Sequence, residues 1–322
     1  WARECQPDRR QTMKPNLSTL WLLVALLGFQ SCEHKELCYD HPHDAAVRVT
    51  FNWSEIGTHD LPEGMRVAFY PLEGGKPWIF DCPGGDNRLV EIPENRYRVL
   101  CYNNDTEDIV WEDSNEYGKF TADTPDTKAP DGEASCLTPD WLCGDHGENI
   151  IDLTHLMPGT ETEVPLTPVP MVCAYTFEVN GIRGLQYITD LRGGLSDMSG
   201  SLNMATDSRP EDLSESLLFG GKIDKEQVKG GFYTFGPGRH DLAHTEMHLF
   251  TLYLKSHKGN VYILEADVTE QIHRVPLEGH LHTVHLIIEF DYDVPEEPIG
   301  GDDGGFDPDV DDWEDVNEDI LL

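Results

Sequence analysis

Hydrophobic residues in this 322-residue chain recur with period two in short runs, and that spacing constrains the fold more than any other feature. A strand turns successive side chains to opposite faces, so alternation marks a half-buried strand; a helix needs apolar residues three and four apart. In the run from Ala45 to Trp53, Val47, Val49, Phe51 and Trp53 fall on one face and Arg48, Thr50 and Asn52 on the other. Residues 65–70 and 97–102 repeat the scheme, and shorter candidate strands lie at 78–81, 89–92, 109–111 and 117–120. Short strands spaced roughly 8 to 12 residues apart, with Gly, Pro, Asn and Asp between them, predict a β-sandwich.

Strand-like sequence resumes at Glu163, where Pro165, Pro168 and Pro170 break it. Central strands do not accommodate proline, so this cluster sets a domain boundary. Beyond it, residues 171–179, 185–188, 231–235, 247–256, 261–268 and 283–290 read as strands of a second sandwich. Ser256 to Asn260 reads as a hairpin turn containing Gly259. Residues 121–140, rich in Pro, Asp and Thr, read as a long loop, and 211–219 is the one stretch with helical character. The expected division is therefore upstream residues and signal 1–31, tether 32–44, first sandwich 45–167, second sandwich 168–294 and acidic tail 295–322.

The signal reading rests on Met13-Lys14, an apolar run of thirteen residues from Leu17 to Phe29, and Ser31 just before Cys32. A cationic start, a short apolar core and a small residue at the cut describe a secretory signal. The run falls short of the roughly 20 apolar residues that cross a bilayer. A cysteine at the cut makes it a bacterial lipoprotein signal, with Cys32 as the lipid attachment site. Burying acyl chains is favourable by about 0.8 kcal/mol per CH₂, and two or more chains anchor stably. Phe29 and Gln30 depart from the usual Leu and small residue of a lipobox; the plainer reading is an ordinary signal cut near Ser31. Residues 1–12, polar and upstream of Met13, read as an extension outside the fold.

The formal charge is −37, and from Asp291 to Leu322 fourteen Asp or Glu occur with no Lys or Arg. Such a surface repels phosphate backbones and anionic headgroups, which excludes nucleic acid as a partner. A covalent lipid would overcome that repulsion at a membrane. Six cysteines, Cys38, Cys82, Cys101, Cys136, Cys143 and Cys173, remain after Cys5 and Cys32 are set aside. At most one or two disulfides are expected, with Cys101 and Cys173 inside apolar runs as small buried hydrophobes.

The tether and first strands carry a family resemblance. Cys38-Tyr39-Asp40-His41-Pro42-His43, the Val47-Arg48-Val49-Thr50-Phe51-Asn52-Trp53 strand, Pro62-Glu63-Gly64-Met65, Tyr70-Pro71 and the run from Tyr97 to Glu107 resemble a Bacteroidetes lipoprotein family of uncharacterised domains. That family is similar to the anchor and accessory subunits of fimbrillin-type (type V) pili. The resemblance spans about residues 32–294, more strongly in the first half. It implies an all-β fold of two transthyretin-like (Greek-key) β-sandwich domains in tandem. It also implies an outer-membrane, lipid-anchored protein that meets other pilus subunits. It assigns no catalytic residue.

Three features bear on chemistry. His240, His244 and His248 are spaced four apart, His244, Glu246 and His248 would align on a strand, and His280, His282 and His285 follow. Imidazole and carboxylate ligands can hold zinc, yet no H-E-x-x-H is present, and solvated or packed histidines are expected. Asp307, Asp309, Asp311 and Glu318 fall at positions 1, 3, 5 and 12 of a calcium-loop template. Asp312 replaces the required Gly and Glu314 the apolar residue, so a solvated acidic linker is expected instead of a metal site. At the end of the chain, Trp313, Val316, Ile320 and Leu322 are apolar residues a solvating tail does not need, and they are candidates for strand exchange with a sheet edge. No G-x-S-x-G, P-loop or dinucleotide fingerprint occurs. The expectation is a non-enzymatic pilus anchor or accessory subunit without cofactor. The alternatives are a surface lipoprotein binding glycan or host protein, and a hydrolase lacking a recognisable motif.

Overall fold

The computed structural model describes residues 44–296, apart from 58, 147–149, 158, 211–214, 239–246 and 276–282. Up to residue 170 the strands are β1 (Asp44–Phe51), β2 (Gly64–Pro71), β3 (Trp78–Pro83), β4 (Arg88–Pro93), β5 (Arg96–Asn103), β6 (Val110–Glu112), β7 (Thr121–Asp123), β8 (Asp126–Lys128), β9 (Ala134–Leu137), β10 (Cys143–Asp145), β11 (Ile150–Asp152), β12 (Glu161–Leu166) and β13 (Val169–Pro170). Then follow β14 (Cys173–Arg183), β15 (Ile188–Met198), β16 (Ser201–Asn203), β17 (Glu215–Phe219), β18 (Lys222–Asp224), β19 (Gln227–Thr234), β20 (Leu249–Ser256), β21 (Val261–Asp267) and β22 (Thr283–Asp293). The expected all-β class is what the described residues adopt. Helix is confined, among the described residues, to one 3₁₀ turn (Leu185–Tyr187) and five residues at Thr269–His273.

In the first sandwich, a sheet ordered β12-β1-β4 faces a sheet ordered β13-β10-β5-β2-β3, with β11 also on β5. The alternation of β1 does what its period predicts. Ala45, Val47 and Val49 are buried against Met65, Val67 and Phe69 of β2 and Val99 and Cys101 of β5. Arg48 points the other way and pairs across the parallel β1/β12 ladder with Glu161. Burying side chains of this size contributes about 1.5–3 kcal/mol each.

The second face of β2 and β5 is also covered, by a smaller apolar cluster that joins Ala68, Tyr70, Leu100 and Tyr102 to Phe120, Leu202 and Phe235. Two-sided burial explains why Val99-Leu100-Cys101-Tyr102 is continuously apolar instead of alternating.

The second sandwich sets β18-β19-β14-β22 against β21-β20-β15-β17-β9-β8. Its centre is aromatic: Phe219 stacks on Phe232 at 3.8 Å between ring centroids, and Phe177 lies 5.3 Å from Phe250. Gly193 makes room for this, since a β-carbon there would collide with the Phe219 ring. Gly181 sits at a bulge with φ +78°, and a β-carbon on it would collide with the Phe290 carbonyl oxygen. Only glycine fits such a position without strain.

Several local expectations are corrected. Residues 215–219, expected to be helical, form β17; Leu217 and Phe219 enter the main core while Leu218 packs on the opposite face with Ala129 and Tyr253. Burial on both faces erases the period that would have marked a strand. Residues 121–140 are not one loop but contain β7, β8 and β9. Residues 117–120, expected as a strand, form a turn in which the Lys119 and Phe120 amides donate to the Glu116 carbonyl at 2.9 and 3.0 Å. The hairpin at Ser256 to Asn260 forms as expected between β20 and β21.

Strand pairing also crosses the proline cluster. β9 pairs in parallel with β17, Leu217 opposite Cys136, and β7 pairs with β16, Leu202 opposite Ala122. Each half of the chain thus lends strands to sheets built mainly or partly by the other.

Candidate functional site

The strongest sequence candidates, Cys32 for lipid, Trp313, Val316, Ile320 and Leu322 for strand exchange, and Asp307, Asp309, Asp311 and Glu318 in the calcium-loop template, lie outside the described residues. So do Cys38, His240, His244, His280 and His282. The two other histidines of those spacings are not brought together. His248 is fully buried, with Nδ1 3.1 Å from the Ser196 carbonyl and its ring 5.4 Å from that of His273. His285 is exposed on the outer face of β22, its Nδ1 2.7 Å from Thr176 Oγ1. Among the described residues, no group of three or more His, Cys, Asp or Glu is placed to hold a metal.

The described cysteines, Cys82, Cys101, Cys136, Cys143 and Cys173, are all buried and free. Burial pushes the Cys136 and Cys173 thiols up to about 11 and raises those of Cys82, Cys101 and Cys143 as well. Thiols held in this way offer little thiolate for nucleophilic attack or metal binding. They behave as small hydrophobes, as expected for Cys101 and Cys173.

The motif Asn103-Asn104-Asp105 proves to be a joint in the fold. Buried Asn103 accepts from the Cys143 amide at 2.8 Å and donates to Asp105 Oδ1 at 2.8 Å and to the Trp141 carbonyl at 3.1 Å. Asn104 donates to Asp81 at 3.2 Å, and Asp105 accepts from the Glu63 amide at 2.7 Å. The end of β5 is thereby tied to β2, β3 and β10. This distinctive stretch of sequence holds strands together.

Two long sheet edges stand out in the described chain. Among the edge strands, β21 and β22 are the longest of the second sandwich, at 7 and 11 residues. Both alternate cleanly. On β22, Val284, Leu286 and Ile288 are buried, while His285, Ile287 and Glu289 face outward, Ile287 being 52% exposed. Beside it, Gln271 of the short helix donates through Nε2 to the Ile287 carbonyl at 2.9 Å, and its Oε1 accepts from the Ile287 amide at 2.8 Å. One side-chain amide thus makes the two bonds that one residue of a neighbouring strand would make. Sequence reasoning missed Gln271, because a lone glutamine in a polar stretch carries no linear signal.

Residues 31–220 match the family described as Domain of unknown function (DUF5119), and the chain belongs to that family. This bears out the resemblance read from the tether and first strands. A "putative fimbrium anchoring subunit Fim4B" of Bacteroides ovatus is 26% identical over 251 residues, covering 76% of this chain and 72% of that protein. A crystal structure of a "putative adhesin", also from Bacteroides ovatus, shares the fold with a TM-score of 0.60 at 23% identity, over 83% of this chain and 98% of that one. A crystal structure described as "putative polysaccharide binding proteins" from Bacteroides thetaiotaomicron aligns with a TM-score of 0.50 at 9% identity, over 76% of this chain and 90% of that one.

Proposed function

We propose that this chain is a lipid-anchored surface protein that serves as a fimbrial anchor or accessory subunit in adhesion or assembly. The observation that carries the reading is the 26% identity, over 76% of this chain, with the Bacteroides ovatus protein named for anchoring a fimbrium. That name also supports a non-enzymatic role. In this reading Cys32 carries the acyl chains that hold the protein at the outer membrane, residues 32–44 act as tether, and the sandwiches stand clear of the bilayer. The apolar residues Trp313, Val316, Ile320 and Leu322 supply a strand to another pilus subunit. Strand addition would gain ladder hydrogen bonds and bury those side chains together.

The test is made on the full-length protein in cells. Cys32→Ala is expected to abolish incorporation of labelled palmitate, release the protein from the membrane fraction and detach fimbriae from the surface. A variant that is still acylated and membrane-bound would overturn the anchor, and one that loses its lipid while fimbriae stay attached would overturn the fimbrial role.

A further inference from the structure

Among the described residues, β22 closes its sheet on one side and pairs with β14 on the other, so alternate residues direct their backbone groups away from β14. Ile287 is one of these, because both its N–H and its carbonyl are taken by Gln271. The edge carries no proline along its 11 residues, and its exposed centre is apolar. From Thr283 to Glu289, before the bulge opposite Gly181, the strand is regular, and such an edge is a template for pairing with another chain unless something blocks it.

We propose that the free edge of β22 is a self-association surface, complementary to β22 of a second copy of this chain and held closed by Gln271. The register follows from the sequence. In an antiparallel pair centred on Ile287, the two Ile287 residues would exchange both backbone hydrogen bonds, using the groups that Gln271 now occupies. On the outer face, each His285 would stand opposite the Glu289 of the other copy, an imidazole facing a carboxylate in a contact made twice by symmetry. On the inner face, Leu286 would meet Ile288, and Val284 would meet the partly buried Phe290. Apolar partners on the inner face arise in other in-phase registers too, and in some of them His285 would meet Asp291 or Asp293; only this register adds Ile287 against Ile287 to the two His285–Glu289 pairs. Two four-stranded sheets would then merge into one of eight strands. Gln271 acts as a stand-in strand of one residue, and its displacement exposes the edge. The inference concerns copies of this chain alone and stands apart from the fimbrial reading.

The experiment is sedimentation of the purified chain at about 0.15 M salt, where repulsion between two strongly negative copies is screened beyond about 8 Å. Wild type is expected to be monomeric at its β22 edge, with the Ile287 amide protected from hydrogen exchange. Gln271→Met keeps the aliphatic stem and removes both hydrogen bonds. It should strengthen dimerisation by about tenfold or more, and in dilute protein it should speed Ile287 exchange by a similar factor. Gln271→Ala gives the same reading with a residue that favours helix. Adding Glu289→Lys to either variant sets Lys opposite His285 and should return the monomer. Variants that stay monomeric at every concentration overturn the proposal. So do a dimer that survives Glu289→Lys and a wild type already paired through β22.

Discussion

The two sandwiches defend their edges by different means. Among the described residues, the four strands that end the two sheets of the first each carry a proline, Pro165 in β12, Pro93 in β4, Pro83 in β3 and Pro170 in β13, and the further strand on β5, β11, is only three residues long. Proline lacks the donor that an added strand would need, so these edges are closed by covalent structure. Among the described residues, none of the edge strands of the second sandwich, β8, β18, β21 and β22, contains one. β8 and β18 are only three residues long, which limits what they can recruit. β21 and β22 are long, and β22 relies on acidic residues toward its end and on the contact from Gln271. A proline is permanent, whereas a side-chain contact can be exchanged for a better partner. The difference places adaptable edge in the second sandwich and fixed edge in the first.

The largest effect that would break this picture is expected at Gly181. A left-handed backbone costs a non-glycine residue about 1–2 kcal/mol, and here the β-carbon would also strike the Phe290 carbonyl. Gly181→Val should therefore destabilise the protein by at least about 3 kcal/mol in chemical denaturation. Amide protection should be lost first in β14 and β22. If β1 and β5 lose protection equally, the two sandwiches unfold as one unit and their edges cannot be treated separately.

Asn103→Ala probes the first sandwich with a smaller step. It leaves the Cys143 amide without its partner in a buried setting and removes the bonds to Asp105 and Trp141. The expected cost is about 2–3 kcal/mol, seen as earlier exchange in β5 and β10. No loss of stability would remove the structural account of this motif and reopen it as a binding site.

Much of this architecture was legible in the sequence, and the failures share a cause. Strands with one wet face, such as β1 and β21, announce themselves by alternation. Strands covered on both faces do not, and β17 therefore resembles a helix. Residues 134–137 look like loop because β8 and β9 are only three and four residues long, too short to show a period, and the second partner of β9, β17, lies some 80 residues away in sequence. The short helix at Thr269–His273 was missed for the opposite reason: five residues are too few to show a period. Among site residues, Cys32 and the apolar terminal segment stand out chemically in the sequence but lie outside the described residues. Gln271 is the reverse case, silent in sequence and specific in space.

The smallest effect on stability, and the finest test of the comparison, is expected from Pro165→Val. Pro165 is exposed on edge strand β12, opposite Thr50 in the parallel ladder with β1. Proline persists on such a strand where its nitrogen faces away from the neighbour, so valine would fit the ladder and add one outward N–H. Losing proline's restriction of the unfolded chain costs under about 1 kcal/mol, so the midpoint of unfolding should barely move. Association at high concentration should rise slightly, without a defined dimer. β12 presents Glu161 and Glu163 beside its new donor, and no opposite charge on the same strand offers a matching register. A discrete dimer from Pro165→Val, as tight as that expected on opening β22, would mean that any unblocked edge of this protein suffices. Sequence complementarity along β22 would then not be what sets the second sandwich apart.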